Sequence, residues 1–91
     1  MTVYVDKAKN GMGRMRMSHM FADTLGELHA IAARLGLRRA WFQNHDTPHY
    51  DICQTKKRDA LELGAIEIDR RKVVEIIRKW RALKQFEAAG G

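Results

Sequence analysis

The chain has 91 residues, of which 17 are Lys or Arg and 11 are Asp or Glu; its formal net charge is +6 and 45% of its residues are hydrophobic. A chain of this length builds one small core, which excludes a second domain and a deep, enclosed substrate cavity. The single cysteine excludes an intramolecular disulfide, and no apolar run approaches the roughly 20 residues that a membrane span needs, so we expect a cytoplasmic protein without a membrane partner.

Two strands are predicted at the start of the chain. Thr2–Val5 is a β-branched and aromatic run that predicts the first strand, and Lys7–Gly13 is predicted to be a loop. The order of residues in Met15–Phe21 predicts a second strand, in which His19 shares one face with apolar side chains.

A first helix follows the second strand. Asp23 or Thr24 is the predicted N-cap, and Glu27 stands three residues after Thr24, as a capping box requires. Apolar residues recur at helical spacing up to Leu35, and Gly36 follows where helices commonly end in a left-handed residue.

The second half of the chain is predicted to hold short elements and a long final helix. These are a basic and aromatic connection at Leu37–Phe42 that is compatible with entry into a third strand, a loop at Gln43–Pro48, an extended piece at Tyr50–Cys53, a helix from about Thr55 to Gly64, and a brief strand at Ala65–Ile68. Asp69 is the predicted cap of the last helix, whose apolar residues fall within an arc of about 120°. The pattern predicts an α+β fold in which a small mixed sheet of three to four short strands packs with three helices, the last one long and amphipathic. We expect one domain over residues 1–88 and a frayed tail over residues 89–91.

Histidine and aspartate residues are the candidates for catalysis. His49 and Asp51 project from one face of an extended segment, a spacing at which a carboxylate orients an imidazole or shares a metal ion with it. The predicted catalytic cluster comprises Asp6, His19, Asp23, His49 and Asp51. His19, His49 and Asp51 are also the candidate ligands of a divalent metal, although no standard spacing such as H-E-x-x-H is present. The structural alternatives are a helix cap at Asp23, a buried histidine at 19 and a polar turn at 49–51.

Basic residues form two candidate anion sites. Thr55, Lys56, Lys57 and Arg58 lie in the first turn of the second helix, where the helix dipole disfavours cations, so a bound phosphate would explain them. Arg70, Arg71, Arg78 and Arg81 form a flank of the last helix, and residues 70–91 hold seven cationic residues against two Glu. A continuous basic flank suits a phosphate backbone. Both sets also have an alternative interpretation without a ligand, in which the long side chains extend into water and keep the protein soluble.

Large aromatic residues alternate with arginines in the middle of the chain. Trp41, Phe42 and Tyr50 lie close in sequence to Arg38 and Arg39. This pattern is compatible with a stacking platform for nucleic-acid bases and with ordinary core packing.

Several short motifs resemble one family. They are Val3-Tyr-Val-Asp6, Ser18-His-Met-Phe-Ala-Asp23, Glu27-Leu-His-Ala30, Arg34-Leu-Gly36, His49-Tyr-Asp51 and Gly64-Ala65. Together they resemble a small bacterial and phage family known as domain of unknown function 4031, from residue 1 to about residue 75. The resemblance implies that the five residues of the predicted cluster, together with His29, belong to the family pattern, and it transfers no activity. Some larger relatives look like fusions of this domain to a metal-dependent phosphohydrolase domain, which the resemblance links to nucleotide or nucleic-acid metabolism. The chain departs from the pattern in a longer Asn44–Pro48 stretch and a basic last helix, and its unfused form suits a phage accessory protein in the host cytoplasm.

These features leave three functions open. The favoured one is a small accessory protein that binds a polyanion, either nucleic acid or a nucleotide, through its basic residues. The second is a metal-assisted or acid–base enzyme acting on a phosphate-containing substrate, with a divalent metal as its cofactor. The third is an inhibitor that binds a host protein through the basic surface, while the histidines and aspartates are structural. A homodimer is compatible with all three, because a small domain gains stability by burying more apolar surface.

Overall fold

The longest strand lies in the middle of the sheet and organises it. The computed structural model describes residues 2–12 and 15–90. The strands are β1 (Val3–Asp6), β2 (Asn10–Met12), β3 (Met15–Ala22), β4 (Tyr50–Cys53) and β5 (Ile66–Ile68). β3 pairs antiparallel with β1 and β2 along one edge and with β4 along the other. β5 pairs parallel with β1, so the sheet is mixed and has five strands.

Helices cover both faces of this sheet. They are α1 (Leu25–Arg34), α2 (Gln54–Glu62) and α3 (Arg70–Gly90). One buried cluster joins Met20 and Ile52 of the sheet to α1 and α2, and a second joins Phe21 to Ile76 and Trp80 of α3. The alternation of β3 therefore divides its side chains between two cores, and His19 lies on the α3 side with Phe21. The predicted α+β fold with three helices, the last one long, is confirmed.

Local signals fix the ends of α1. Thr24 is the N-cap, and its hydroxyl oxygen accepts a hydrogen bond of 3.2 Å from the backbone N–H of Glu27. Gly36 follows the last turn with a φ of +76°, a left-handed conformation that glycine adopts without a Cβ clash. Gly64 plays the same role after α2, with a φ of +103°. Both glycine positions and the capping box were predicted from the sequence.

Two predicted segments differ in the structure. Leu37–Phe42 does not form a third strand, because Arg39–Trp41 is a single 3₁₀ turn in which the Trp41 N–H donates to the carbonyl oxygen of Arg38. That turn brings the Arg38 guanidinium to 5.7 Å from the centre of the Trp41 ring, an attraction that an extended chain would not allow. Within the predicted loop Lys7–Gly13, residues 10–12 pair with the start of β3 and form β2. Gly13 lies outside the described residues.

α3 is the longest element of the fold. Its N-terminus is capped by Asp69, whose carboxylate accepts a hydrogen bond of 2.9 Å from the backbone N–H of Lys72. The helix extends to Gly90, and Gly91, the end of the predicted tail, lies outside the described residues. Within the described part of the chain, no helix is both long and apolar enough to cross a membrane.

An ion pair between a buried lysine and an exposed glutamate predicts a pH dependence of stability. The ammonium of Lys57, a buried side chain, lies 2.9 Å from Oε2 of Glu67, and this hydrogen bond lowers the pKa of Glu67 from its usual 4.5. The pair therefore contributes stability that is fully present above about pH 4.5 and is lost as the pH falls through the lower folded-state pKa. We expect Glu67→Gln to remove this part of the acid sensitivity when the thermal midpoint is measured against pH. Glu62→Gln, at an exposed position of α2, is the control and should follow the wild type.

Candidate metal centre

The strand register brings the histidine and aspartate residues together. β3 pairs with β4 so that His19 stands directly opposite Asp51. On the other edge of β3, β1 ends at Asp6, beside His19. His49 immediately precedes β4 and lies on the same face as Asp51, because strand side chains alternate. β1, β3 and the segment at β4 thus contribute side chains to one place. We call His19, His49 and Asp51 the His/Asp cluster, and Asp6 lies beside it.

Asp6 holds His19 in one orientation. Its carboxylate accepts two hydrogen bonds from His19, one of 2.9 Å from the backbone N–H and one of 2.7 Å from Nδ1. The side-chain hydrogen bond raises the pKa of His19 above its usual 6.5, burial opposes the rise, and the charges of Asp6 and Asp51 add to it. Burial alone would raise the pKa of Asp6, but the hydrogen bonds from His19 outweigh it, so that the pKa lies below 3.8. Asp6 is therefore ionised and can only accept, which places a proton on Nδ1 of His19, so the lone pair of a neutral His19 is on Nε2.

The backbone fixes His49 in a similar way. His49 and Gln43 form a β-bridge with hydrogen bonds of 2.9 and 3.1 Å between their backbones, closing the loop between them. Nδ1 of His49 lies 2.9 Å from the carbonyl oxygen of Thr47. A carbonyl oxygen can only accept, so Nδ1 carries the proton and the lone pair of a neutral His49 is on Nε2.

Asp51 completes the cluster. Its Oδ1 lies 3.7 Å from Nε2 of His19 and 3.5 Å from Nε2 of His49. Its Oδ2 accepts a hydrogen bond of 2.9 Å from the side-chain amide of Gln43, which sets the orientation of the carboxylate. Two imidazole nitrogens and one carboxylate oxygen therefore come close together, and the three atoms all lie within 4.8 Å of one another.

These separations fit ligands of one metal ion. Zinc ligands lie about 2.1 Å from the metal, which puts neighbouring ligands of a tetrahedral site about 3.4 Å apart. The observed 3.5 and 3.7 Å are close to that spacing, and they exceed the usual range of about 2.7–3.2 Å for a hydrogen bond from nitrogen. Two nitrogens and one oxygen suit zinc, manganese or iron better than magnesium, which prefers oxygen ligands. Each candidate ligand also has the outer partner that metal ligands usually have: Asp6, the Thr47 carbonyl or Gln43.

An open cleft of about 650 Å³ connects the cluster with α3. His19 and His49 line one side, and Arg81 and Lys84 of α3 line the other. Lys84 donates a hydrogen bond to the carbonyl oxygen of His45, and the Arg81 guanidinium lies 3.9 Å from the exposed carboxylate of Asp46. Such an exposed ion pair contributes little to the free energy of unfolding, so Arg81 can exchange Asp46 for another anion at small cost.

The family described as a protein of unknown function (DUF4031) matches residues 3–80, which span β1 to β5 and the first half of α3. The chain belongs to the DUF4031 family. The resemblance of the sequence motifs is thereby confirmed, and it covers every member of the cluster. No curated protein and no solved structure matches the chain.

Two residues that the resemblance assigned to the family pattern, Asp23 and His29, lie apart from the cluster. Asp23 follows β3 and accepts a hydrogen bond of 3.0 Å from the Tyr4 hydroxyl, with the Lys79 ammonium at 3.5 Å. His29 lies on α1, with Nδ1 2.9 Å from the hydroxyl of the buried Tyr50. Burial, reinforced by the charge of Arg39, lowers the pKa of His29. The structure thus brings four of the five predicted residues together, and it places Asp23 apart from them, where it bonds to Tyr4 of β1.

The predicted basic residues of the DUF4031 chain also divide between different places. The Lys56 ammonium donates a hydrogen bond of 2.6 Å to the Leu35 carbonyl oxygen at the end of α1, and Lys57 pairs with Glu67. Both lysines of the α2 set therefore have structural partners, whereas Thr55 and Arg58 are exposed. On α3, Arg70, Arg71 and Arg78 are exposed, and Arg81 is the one of the four that lines the cleft.

Sequence reasoning missed Gln43, Thr47 and Lys84. Their positions depend on the β-bridge between Gln43 and His49, which closes the Asn44–Pro48 loop. No sequence rule fixes the pairing of residues on either side of a loop of this length. Lys84 lies one helical turn after Arg81, so the periodicity of α3 could have included it in the basic flank.

Proposed function

We propose that the DUF4031 chain is a metal-dependent enzyme that hydrolyses a phosphate ester in the cleft between the His/Asp cluster and α3. The observation that carries the proposal is the convergence of Nε2 of His19, Nε2 of His49 and Oδ1 of Asp51. Their partly exposed side chains leave one side of the site open to the cleft, as a catalytic metal requires for water and substrate.

The chemistry follows from that open side. A divalent metal held by His19, His49 and Asp51 would lower the pKa of a bound water and so supply hydroxide near neutral pH. In the hydrolysis that we propose, the water oxygen would form a bond to phosphorus while the P–O bond to the ester oxygen breaks. The departing oxygen takes up a proton and leaves as an alcohol, so one water is consumed for each ester.

Polyanion binding is part of this proposal. Arg81 and Lys84 lie across the cleft from the metal ligands, and their charges would offset those of the non-bridging phosphate oxygens. The exposed Arg70, Arg71 and Arg78 lie on the same helix and would attract a longer polyanion by their field alone.

The test is hydrolysis of bis(p-nitrophenyl) phosphate by metal-stripped protein to which Zn²⁺, Mn²⁺ or Fe²⁺ is added back. We expect activity with Zn²⁺ or Mn²⁺. Asp51→Asn should lower the rate by more than about 100-fold, since loss of a ligand's outer partner alone costs about 10- to 100-fold. The control is Glu62→Gln, which removes an exposed carboxylate from α2 and should retain the wild-type rate.

Activity that survives Asp51→Asn would contradict the proposal, because a contaminating phosphatase would behave in this way. Absence of hydrolysis with all three metals would contradict it as well. Arg81→Gln provides a further check, since it should raise KM more than it lowers kcat if this side chain binds the phosphate before reaction.

A further inference from the structure

A second groove adjoins the His/Asp cluster. It has a volume of about 770 Å³, within the usual range of about 300–1,000 Å³ for small-molecule sites. Met15, Met17 and Trp41 are among the apolar residues that line it, and Asp51 of the cluster lines it as well. Asn44 and His45 line both this groove and the cleft between the His/Asp cluster and α3, so the two spaces meet at the Asn44–Pro48 loop.

We propose that this groove holds the base of a nucleotide whose phosphate lies at the His/Asp cluster. The inference rests on the proposed function and specifies its substrate as a nucleoside phosphate. The ligand is either a free nucleotide or the terminal nucleotide of a single strand, which share this chemistry.

Trp41 provides the stacking surface. Trp41 is 51% exposed although it lines the groove, and Met15, the first residue of β3, is 50% exposed. Large apolar side chains at this exposure are not needed for the core, and an indole stacks on any base for about 1–3 kcal/mol. The Arg38 guanidinium lies 5.7 Å from the centre of the ring and adds a positive charge near the groove.

The polar residues of the groove argue against a purely apolar occupant. A lipid chain or an apolar peptide would cover the Asp51 carboxylate and the Lys56 ammonium without replacing their contacts with water, which is costly. A base has ring nitrogens and exocyclic groups around its edge that can bond to the amides of Gln43 and Asn44. A nucleotide therefore matches the apolar wall, the polar edge and the cationic cleft together.

The experiment measures binding without catalysis. Metal-stripped protein is titrated with adenosine 5′-monophosphate and, as the matched probe without a base, with ribose 5-phosphate. Trp41 is the exposed one of the two tryptophans, whereas Trp80 is buried, so stacking should quench the fluorescence of Trp41. We expect quenching by the nucleotide only. In calorimetry, Trp41→Ala should weaken nucleotide binding by about 10-fold or more, and Leu61→Ala, an exposed apolar position on α2, should bind as the wild type does.

Equal binding of both probes, or unchanged nucleotide affinity in Trp41→Ala, would overturn the base site. A 5′-phosphorylated single-stranded octanucleotide that binds more tightly than the mononucleotide identifies the strand terminus as the ligand, and equal affinity identifies the free nucleotide. The two proposals can fail separately. Nucleotide binding that depends on Trp41 without metal-dependent hydrolysis refutes only the enzyme, and hydrolysis that depends on Asp51 with base-independent binding refutes only the base site.

Discussion

Zn²⁺ at about 100 times its dissociation constant is expected to raise the thermal midpoint of unfolding by roughly 10–20 °C. A ligand that binds only the folded state stabilises it by about 2.7 kcal/mol at that concentration. In a domain of this size each kcal/mol moves the midpoint by about 4–8 °C. The effect depends on the folded arrangement, because the ligands come from β3, β4 and the residue before β4. Differential scanning calorimetry of metal-stripped protein, with and without added Zn²⁺, measures the shift.

Variants of the His/Asp cluster separate this site from chance binding to surface histidines. Asp51→Asn and His49→Gln should lose most of the shift. His45→Gln should keep it, although the His45 ring lies only 6.3 Å from that of His49, because His45 is outside the converging set. Asp6→Asn should lower the Zn²⁺ affinity by about 10- to 100-fold, since Asp6 orients a ligand without binding the metal. An equal shift in the wild type and in Asp51→Asn would refute the site.

The cluster was partly predictable because strands alternate. That rule puts His19 on one face of β3 and puts His49 and Asp51 on one face of a second segment, and all three were predicted as ligands from the sequence. Alternation does not specify which strands become neighbours. The convergence of Asp6 and Asp51 on His19 depends on β1 and β4 pairing with opposite edges of β3, and that order arises from packing of the whole sheet.

The residues that the sequence placed less well show which information was missing. Asp23 is four residues after His19, so strand alternation predicts that both lie on the same face. Four residues of a strand span about 13 Å, however, so a shared face did not imply contact between the two side chains. Lys56 and Lys57 looked out of place at the start of α2 because their partners, the Leu35 carbonyl oxygen and Glu67, are distant in sequence. Helix rules are local, so they identify such residues as anomalies and cannot distinguish a bound phosphate from a tertiary contact.

Trp80→Ala is expected to cause the largest loss of stability among single substitutions in α3. Trp80 is 9% exposed, packs in one cluster with Phe21, Ile68 and Ile76, and its indole N–H donates a hydrogen bond of 3.3 Å to the Ala22 carbonyl oxygen. Replacing a buried tryptophan by alanine costs about 3–5 kcal/mol. A domain of this length has a free energy of unfolding of only about 5–14 kcal/mol, so chemical denaturation should show a large decrease.

Phe86→Ala is the matched control, because it removes an aromatic ring from the same helix at a position that is 77% exposed. Its effect should stay within about 0.5 kcal/mol. Equal losses for the two variants would mean that the Trp80 contacts do not hold α3 to the sheet. If the Trp80 contacts do hold α3 to the sheet, Trp80→Ala should also raise the KM for a phosphate ester. Arg81 and Lys84 line the cleft only when α3 is docked on the sheet, whereas the candidate metal ligands come from other elements. Trp80→Phe, which keeps most of the apolar contact and loses the hydrogen bond at a cost of about 1 kcal/mol, should restore the KM.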